Sequence, residues 1–306
     1  MRRISAETSV KRAFCVMLTC LAAFASVCPG DDAKPDPRYE REITYLRNKL
    51  GTDFAVRQVG LFVVADDLDA AKRETYEKLI TQLQSALYAK LFQKRPGDVL
   101  KLVLFRDNAS LRRSAKKLAV KSMVMPGGGF FMPYERTLCV DTAMGEWVTK
   151  HEVTHALMHA DFGREKVTPW IDEGIAMLVE SCVLADDDMT FRLDWRLRMT
   201  SSAARAKKLP ALGDVLRMDF RTYNSPQNRM LCDAVSRSLL MYLDERGQLV
   251  TFYKAYRKGY ARDKTGIRYL EEVLQKKIDA IETDVLQWVE QESGRPAQSQ
   301  PASGGG

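Results

Sequence analysis

The stretch that decides the fold of this 306-residue chain is residues 151–180, HEVTHALMHADFGREKVTPWIDEGIAMLVE. Two histidines within it, His151 and His155, are four positions apart. Residues four apart lie on the same face of an α-helix, so both imidazole rings would point the same way. A second helix start follows at Thr168-Pro169, because threonine favours the N-cap and proline the first helical turn. The stretch therefore predicts two consecutive helices joined by a turn.

The side chains of this stretch are typical of a catalytic zinc site. Two neutral imidazole nitrogens on one helix face can bind Zn²⁺ at about 2.0–2.1 Å, and a catalytic zinc needs a third protein ligand and an open position. Glu173 lies 18 positions after His155 and could supply that ligand from the second helix. Glu152 lies at the edge of the histidine face, within reach of a metal-bound water. We therefore predict one Zn²⁺ per chain, bound by His151, His155 and Glu173, with Glu152 as the catalytic base.

Other polar residues nearby are predicted to support this site. His159 lies four positions further along the same stripe, without the glycine of the alternative HExxHxxGxxH pattern. We expect it to contact one of the zinc-binding side chains or to stabilise the helix C-terminus, rather than to bind zinc itself. Asp172 and Glu180 are candidates to orient the two ligand histidines. Asp141 or Thr142 is expected to cap the first helix.

Composition places the chain among ordinary folded proteins. Hydrophobic residues make up 45% and charged residues 28%, which excludes extensive disorder and collagen-like classes. No apolar run reaches the roughly 18 residues that span a bilayer. The net charge of +7 falls to +4 without residues 1–25, which hold four basic residues and one acidic residue. That charge is too small to indicate a nucleic-acid partner.

The N-terminus has the layout of a secretory signal peptide. Residues 1–12 carry the four basic side chains, residues 13–27 are apolar or small, and residues 23–25, AFA, match a small-x-small cleavage site. We therefore expect residues 1–25 to be removed and the protein to be secreted or periplasmic. An uncleaved anchor or a start codon placed too early is the alternative, and Cys28 makes lipid anchoring a minor one.

The remaining pattern predicts an α+β domain over residues 39–292, between a polar linker (26–38) and a disordered tail (293–306). The expected elements are a strand at 54–65, a helix at 69–92, a strand at 98–105, a short basic helix at 109–120 and a hairpin at 130–141. From residue 142 onward the pattern is almost wholly helical. Cys139, in an apolar strand, and Cys182, in a helix, are predicted to be buried free thiols.

On these residues the chain resembles the gluzincin metallopeptidases, the clan of thermolysin and aminopeptidase N. HEVTH and WIDEGIAMLVE are similar to the clan's HExxH and W-x-x-E-G-x-A-x-x-x-E segments. The layout over roughly residues 50–290 resembles more closely the peptidase MA-like domain family. This resemblance implies a zincin-like fold, in which an N-terminal mixed αβ sheet subdomain precedes a mostly helical C-terminal subdomain. The zinc site is then expected between the two subdomains.

The resemblance also implies the activity. The protein is expected to be an exported zinc metallopeptidase, which hydrolyses peptide bonds in peptides or proteins with a zinc-bound water that Glu152 activates. Such families place a tyrosine or histidine opposite the metal to stabilise the oxyanion. The matching position, near Cys232-Asp233, has no tyrosine, so Tyr223 is the candidate donor, or else only a core aromatic. An extended substrate could pair with residues 130–132 or 138–140.

Two other functions stay open at this point. The missing tyrosine allows a catalytically weak or inactive zinc-stabilised binding or assembly module of the same fold. A zinc hydrolase of a non-peptide amide, such as cell-wall material, is the other. The sequence carries no signal for oligomeric state.

Overall fold

The computed structural model describes residues 36–118, 128–163 and 165–294. The predicted signal peptide, Cys28, residues 26–35 of the predicted linker and all but two residues of the predicted tail lie outside these ranges. Within them the chain is α+β, as predicted, with a five-stranded mixed sheet and a larger helical part. No helix in these ranges is long and apolar enough to cross a membrane.

The five-stranded sheet has the order β1-β2-β3-β5-β4. Its strands are β1 (Ala55–Val59), β2 (Phe62–Asp66), β3 (Leu100–Phe105), β4 (Gly129–Met132) and β5 (Thr137–Asp141). The central strands β2, β3 and β5 are parallel, and β1 and β4 pair antiparallel at the two edges. The predicted strand at 98–105 and the predicted hairpin at 130–141 are therefore confirmed.

The prediction of one strand over residues 54–65 is wrong. The segment forms a hairpin of β1 and β2 that turns at Gly60, whose φ is 57°. This left-handed backbone favours glycine, because other residues suffer a steric clash there. The Gln84 side chain also packs against Gly60, and its Oε1 accepts a hydrogen bond from Leu61 N at 2.9 Å.

Twelve helices complete the described part of the chain. They are α1 (Pro37–Leu50), α2 (Ala70–Lys90), α3 (Asn108–Ala115), α4 (Glu146–Phe162), α5 (Pro169–Glu180), α6 (Trp195–Arg205), α7 (Leu212–Arg217), α8 (Phe220–Tyr223), α9 (Arg229–Glu245), α10 (Leu249–Gly259), α11 (Ile267–Leu274) and α12 (Ile278–Ser293). The predicted helix at 69–92 is confirmed as α2. The basic helix predicted at 109–120 is shorter, because a 3-10 turn (Lys116–Leu118) follows α3.

The prediction that the chain is almost wholly helical from residue 142 misses a small hairpin. Strands β6 (Val183–Ala185) and β7 (Asp188–Thr190) pair antiparallel directly after α5. Cys182 lies in the connection between α5 and β6 rather than in a helix. Both Cys139 and Cys182 are nevertheless buried and free, as predicted, and so is Cys232.

Alternating side chains place the sheet between two hydrophobic cores. Val63 and Ala65 of β2 face a smaller core formed with α1 and α3. Phe62 and Val64, on the opposite face, join the larger core that α2, α4 and the C-terminal helices build. Helix α4 therefore packs between the sheet and the helical part, with contacts to β4, β5 and α5.

Candidate metal centre

The two predicted helices of the motif exist as α4 and α5, but their N-termini are built differently from the prediction. Asp141 caps the 3-10 turn that precedes α4, through Ala143 N at 3.0 Å. Helix α4 itself begins after Gly145, whose φ is 104°. No side chain caps the N-terminus of this helix. The prediction that Asp141 or Thr142 caps this helix is therefore wrong. The 3-10 turn lies between Asp141 and the start of α4, so the Asp141 cap acts on the turn and not on the helix.

Helix α5 begins at Pro169 after Thr168, as predicted. The Thr168 side chain does not cap it. Its hydroxyl instead contacts Tyr256 OH at 2.7 Å and Lys264 O at 2.5 Å, which ties the helix start to α10 and the loop beyond. Gly174 allows α9 to approach closely, because a Cβ there would lie 2.6 Å from Leu240 Cδ1.

Three ligand-type atoms converge where α4 and α5 meet. His151 Nε2 lies 3.0 Å from His155 Nε2, and these two nitrogens lie 3.6 and 3.8 Å from Glu173 Oε2. The chain thus brings together all three residues that the sequence predicted as metal ligands. All three side chains are at most 16% exposed, so few water molecules can reach these atoms.

The outer nitrogen of each histidine contacts a carboxylate. His151 Nδ1 lies 3.0 Å from Glu180 Oε2, and His155 Nδ1 lies 2.7 Å from Asp172 Oδ1. An ionised carboxylate can only accept, so each Nδ1 donates its hydrogen and the neutral ring keeps a lone pair on Nε2. Both orienting roles predicted for Asp172 and Glu180 agree with these contacts. His159 Nε2 also contacts Asp172, at 3.2 Å.

These donors fit a zinc ion chemically and by size. Ligands about 2.0–2.2 Å from a tetrahedral zinc lie about 3.3–3.6 Å from one another. The three observed separations, 3.0, 3.6 and 3.8 Å, bracket that range. When both imidazole rings are neutral, the two Nε2 lone pairs and the negatively charged Glu173 carboxylate repel one another. A cation bound among the three atoms removes that repulsion.

Protonation removes the same repulsion in the metal-free chain. Burial alone would lower the pKa of His151, but hydrogen bonds to Glu173 and Glu180 outweigh it and raise the pKa well above its ordinary value. For His155, the charge of Asp172 likewise outweighs burial and raises the pKa. The cluster therefore favours a positive charge between the rings, as a metal site does.

Glu152 faces a cavity of about 160 Å³ that also reaches His151 and Glu173. The Glu152 side chain is buried, and burial raises the pKa of its carboxyl group. The backbone of β4 lies directly against it, because a Cβ on Gly129 would be 2.8 Å from Glu152 Cγ. The predicted base thus lies beside the predicted ligands without being one of them.

For the zinc-dependent hydrolysis that the sequence predicts, we expect Gly129→Ala to lower the rate at least about tenfold while zinc content stays unchanged. The added methyl group forces Glu152 and Val148 aside, and a displacement of about 1 Å can reduce a rate about 10²-fold. Steady-state rates and metal analysis of the same preparation would show this. The matched control is Gly97→Ala, where nothing lies within 4 Å of the new Cβ. Equal activity of both variants would contradict the assigned position of Glu152.

The sequence did not nominate three charged residues of this cavity, Arg196, Arg229 and Asp233, although the resemblance pointed to the position near Cys232-Asp233 for the oxyanion donor. Burial and the nearby Glu173 raise the pKa of Asp233 to about 6. Its Oδ1 is buried and has no hydrogen-bond partner among residues 36–118, 128–163 and 165–294. The spacing of Arg229 and Asp233, i and i+4 on α9, is the one sequence signal that could have paired two of them.

Tyr223, the predicted oxyanion donor, lies behind the cavity wall. Its side chain is fully buried, and its hydroxyl group lies 3.0 Å from Ser236 Oγ on α9. Burial raises the pKa of this phenol well above its ordinary value. Tyr223 does not line the cavity that contains Glu152. Its catalytic role stays a prediction.

A comparison with models of known protein families finds no match for this chain. A comparison with curated proteins finds no match either.

Proposed function

We propose that this protein is a zinc-dependent peptidase of the gluzincin type, exported and zincin-like in architecture. The observation that carries the proposal is the convergence of His151, His155 and Glu173 on one point, with Glu152 in the adjoining cavity. Two histidines and a carboxylate, with one side open to a cavity, are the donor set of catalytic rather than structural zinc sites. The proposed export depends on residues 1–25 alone.

Zinc held by these residues would polarise a substrate carbonyl group and lower the pKa of water. Glu152 accepts the proton of the attacking water and later delivers it to the leaving amine. Burial raises the pKa of this carboxyl group, which is the direction that helps it to accept the proton of water. Asp172 and Glu180 hold the two imidazole rings in the tautomer that leaves Nε2 free.

The surroundings of the cavity suit a chain-like substrate. Strand β4 lies at the edge of the described sheet, alongside α4. The ring of Phe131 on this strand lies 5.5 Å from the ring of His159. The outer edge of β4 could pair with an extended peptide. β5 has neighbours on both sides, which excludes the alternative segment 138–140. A larger open groove of about 630 Å³ shares Glu180 with the cavity and carries both charge signs, as at Lys78 and Glu146.

The experiment that tests the function is metal removal followed by restoration. We expect the purified protein to contain about one zinc per chain and to cleave members of a broad peptide library. A chelator should abolish cleavage, because the proposed reaction requires bound zinc. Added zinc should restore cleavage. A protein that takes up no zinc after reconstitution would contradict the proposal.

A zinc-stabilised binding or assembly module is the second candidate. The observation that favours it is the buried hydroxyl group of Tyr223, since the side chains that line the described cavity include no tyrosine. The cationic donors there are Arg196 and Arg229. Retained zinc without cleavage of any library peptide would support this candidate over the peptidase.

A further inference from the structure

Arg196 connects the predicted ligand His151 to the helical part of the protein. Its Nη2 donates to Glu180 Oε1 at 2.6 Å, and the other oxygen, Oε2, accepts from His151 Nδ1 at 3.0 Å. Each oxygen of the Glu180 carboxylate therefore has its own partner. Arg196 lies on α6, 16 positions beyond Glu180 and outside both sequence motifs.

The other end of the Arg196 guanidinium is fixed as well. Nη1 donates to Asp194 Oδ2 at 2.7 Å, and Asp194 is also the N-cap of α6. The same oxygen lies 3.2 Å from Nε of Arg237, whose side chain is 1% exposed. Arg237 in turn donates to Ser181 Oγ at 2.9 Å, next to Glu180 along the chain. Two carboxylates, the buried Glu180 and the partly buried Asp194, thus hold the guanidinium group from two sides.

We propose that Arg196 is a positioning residue for the metal centre, fixing the Glu180 carboxylate and, through it, the His151 ring. This inference rests on the proposed function, because it presupposes that His151 binds zinc. A carboxylate held at one oxygen alone can rotate about its Cγ–Cδ bond. The rigid planar fork of an arginine restricts that rotation, which a lysine ammonium group does less well.

The two ligand histidines are supported in different ways, which makes the proposal specific. His155 depends on Asp172, whose second oxygen contacts His159 rather than an arginine. Arg196 makes its ion pairs with Glu180 and Asp194 and therefore acts on the His151 side of the centre. Loss of Arg196 should loosen one ligand and leave the other in place, so zinc binding weakens without disappearing.

The test measures the zinc affinity of the full chain by competition with a chromophoric chelator, so it does not depend on activity. Arg196→Gln should weaken zinc binding about 10–100-fold, the range typical for partners behind metal ligands. Arg196→Lys, which keeps the charge but not the fork, should lose less. The matched control is Arg205→Gln on the same helix, an exposed arginine paired with Glu290, which should bind zinc like wild type.

A double-mutant cycle with Glu180→Gln separates positioning from general damage. If Arg196 acts through Glu180, Arg196→Gln should cost much less affinity in the Glu180→Gln background than in wild type. Equal losses in both backgrounds would overturn the proposal. So would a lower melting temperature of metal-free Arg196→Gln with unchanged zinc affinity. A wild-type protein that binds no zinc would instead overturn the proposed function itself.

Discussion

Glu152→Gln should lower kcat/KM for peptide hydrolysis about 10²–10⁴-fold, the usual contribution of a general base, while about one zinc per chain is retained. The glutamine side chain has nearly the same shape but cannot accept the proton of the attacking water. The proposed ligand atoms of His151, His155 and Glu173 are unchanged, so metal binding has no reason to fall. Rates against a library peptide, with metal analysis of the same sample, measure both quantities.

A carboxylate far from the cavity provides the control for this substitution. Glu40 is exposed on α1, and Glu40→Gln removes the same charge without touching the site. It should keep wild-type activity. Full activity of Glu152→Gln would disprove the proposed mechanism, because the base would then be another group. Loss of zinc together with activity would mean that Glu152 is a ligand.

His155→Ala should lose zinc and, with it, all metal-dependent hydrolysis. The substitution removes one of the three proposed zinc ligands and leaves Asp172 without its shortest imidazole contact, at 2.7 Å. Two remaining ligands hold zinc far less tightly than three. Metal analysis after dialysis gives the readout, and circular dichroism shows whether the fold survives.

His159→Ala is the matched control, because His159 lies on the same helix and contacts the same Asp172. Its ring packs on Phe131, and it is not one of the three converging residues. We expect this variant to keep about one zinc per chain, with affinity reduced no more than about tenfold. Zinc loss in His159→Ala with retention in His155→Ala would reverse the assigned ligand set.

Local patterns in the sequence predicted much of the fold. The strand at 98–105, the hairpin at 130–141 and the helix at 69–92 are found where the side-chain periods place them, because those periods depend on neighbours a few residues away. The errors are local as well. A single glycine, Gly60, divides a continuous apolar run into two strands, and a short hairpin interrupts the helical part after α5. Apolar periodicity alone does not register such breaks.

The sequence by itself selected the proposed ligand set and its proposed partners on α4 and α5. Helical geometry fixes which side chains share a face, so spacing selected His151 and His155. Glu173 was selected from the helix predicted after them, and Asp172 and Glu180 were candidates in the segment that resembles the gluzincin motif. Only the tertiary structure decided which groups surround them. Arg196, Arg229 and Asp233 reach the cavity from α6 and α9, and Tyr223 packs behind it. Their positions depend on how α9 packs against α5 and how α6 packs against α9, an arrangement that no local period encodes.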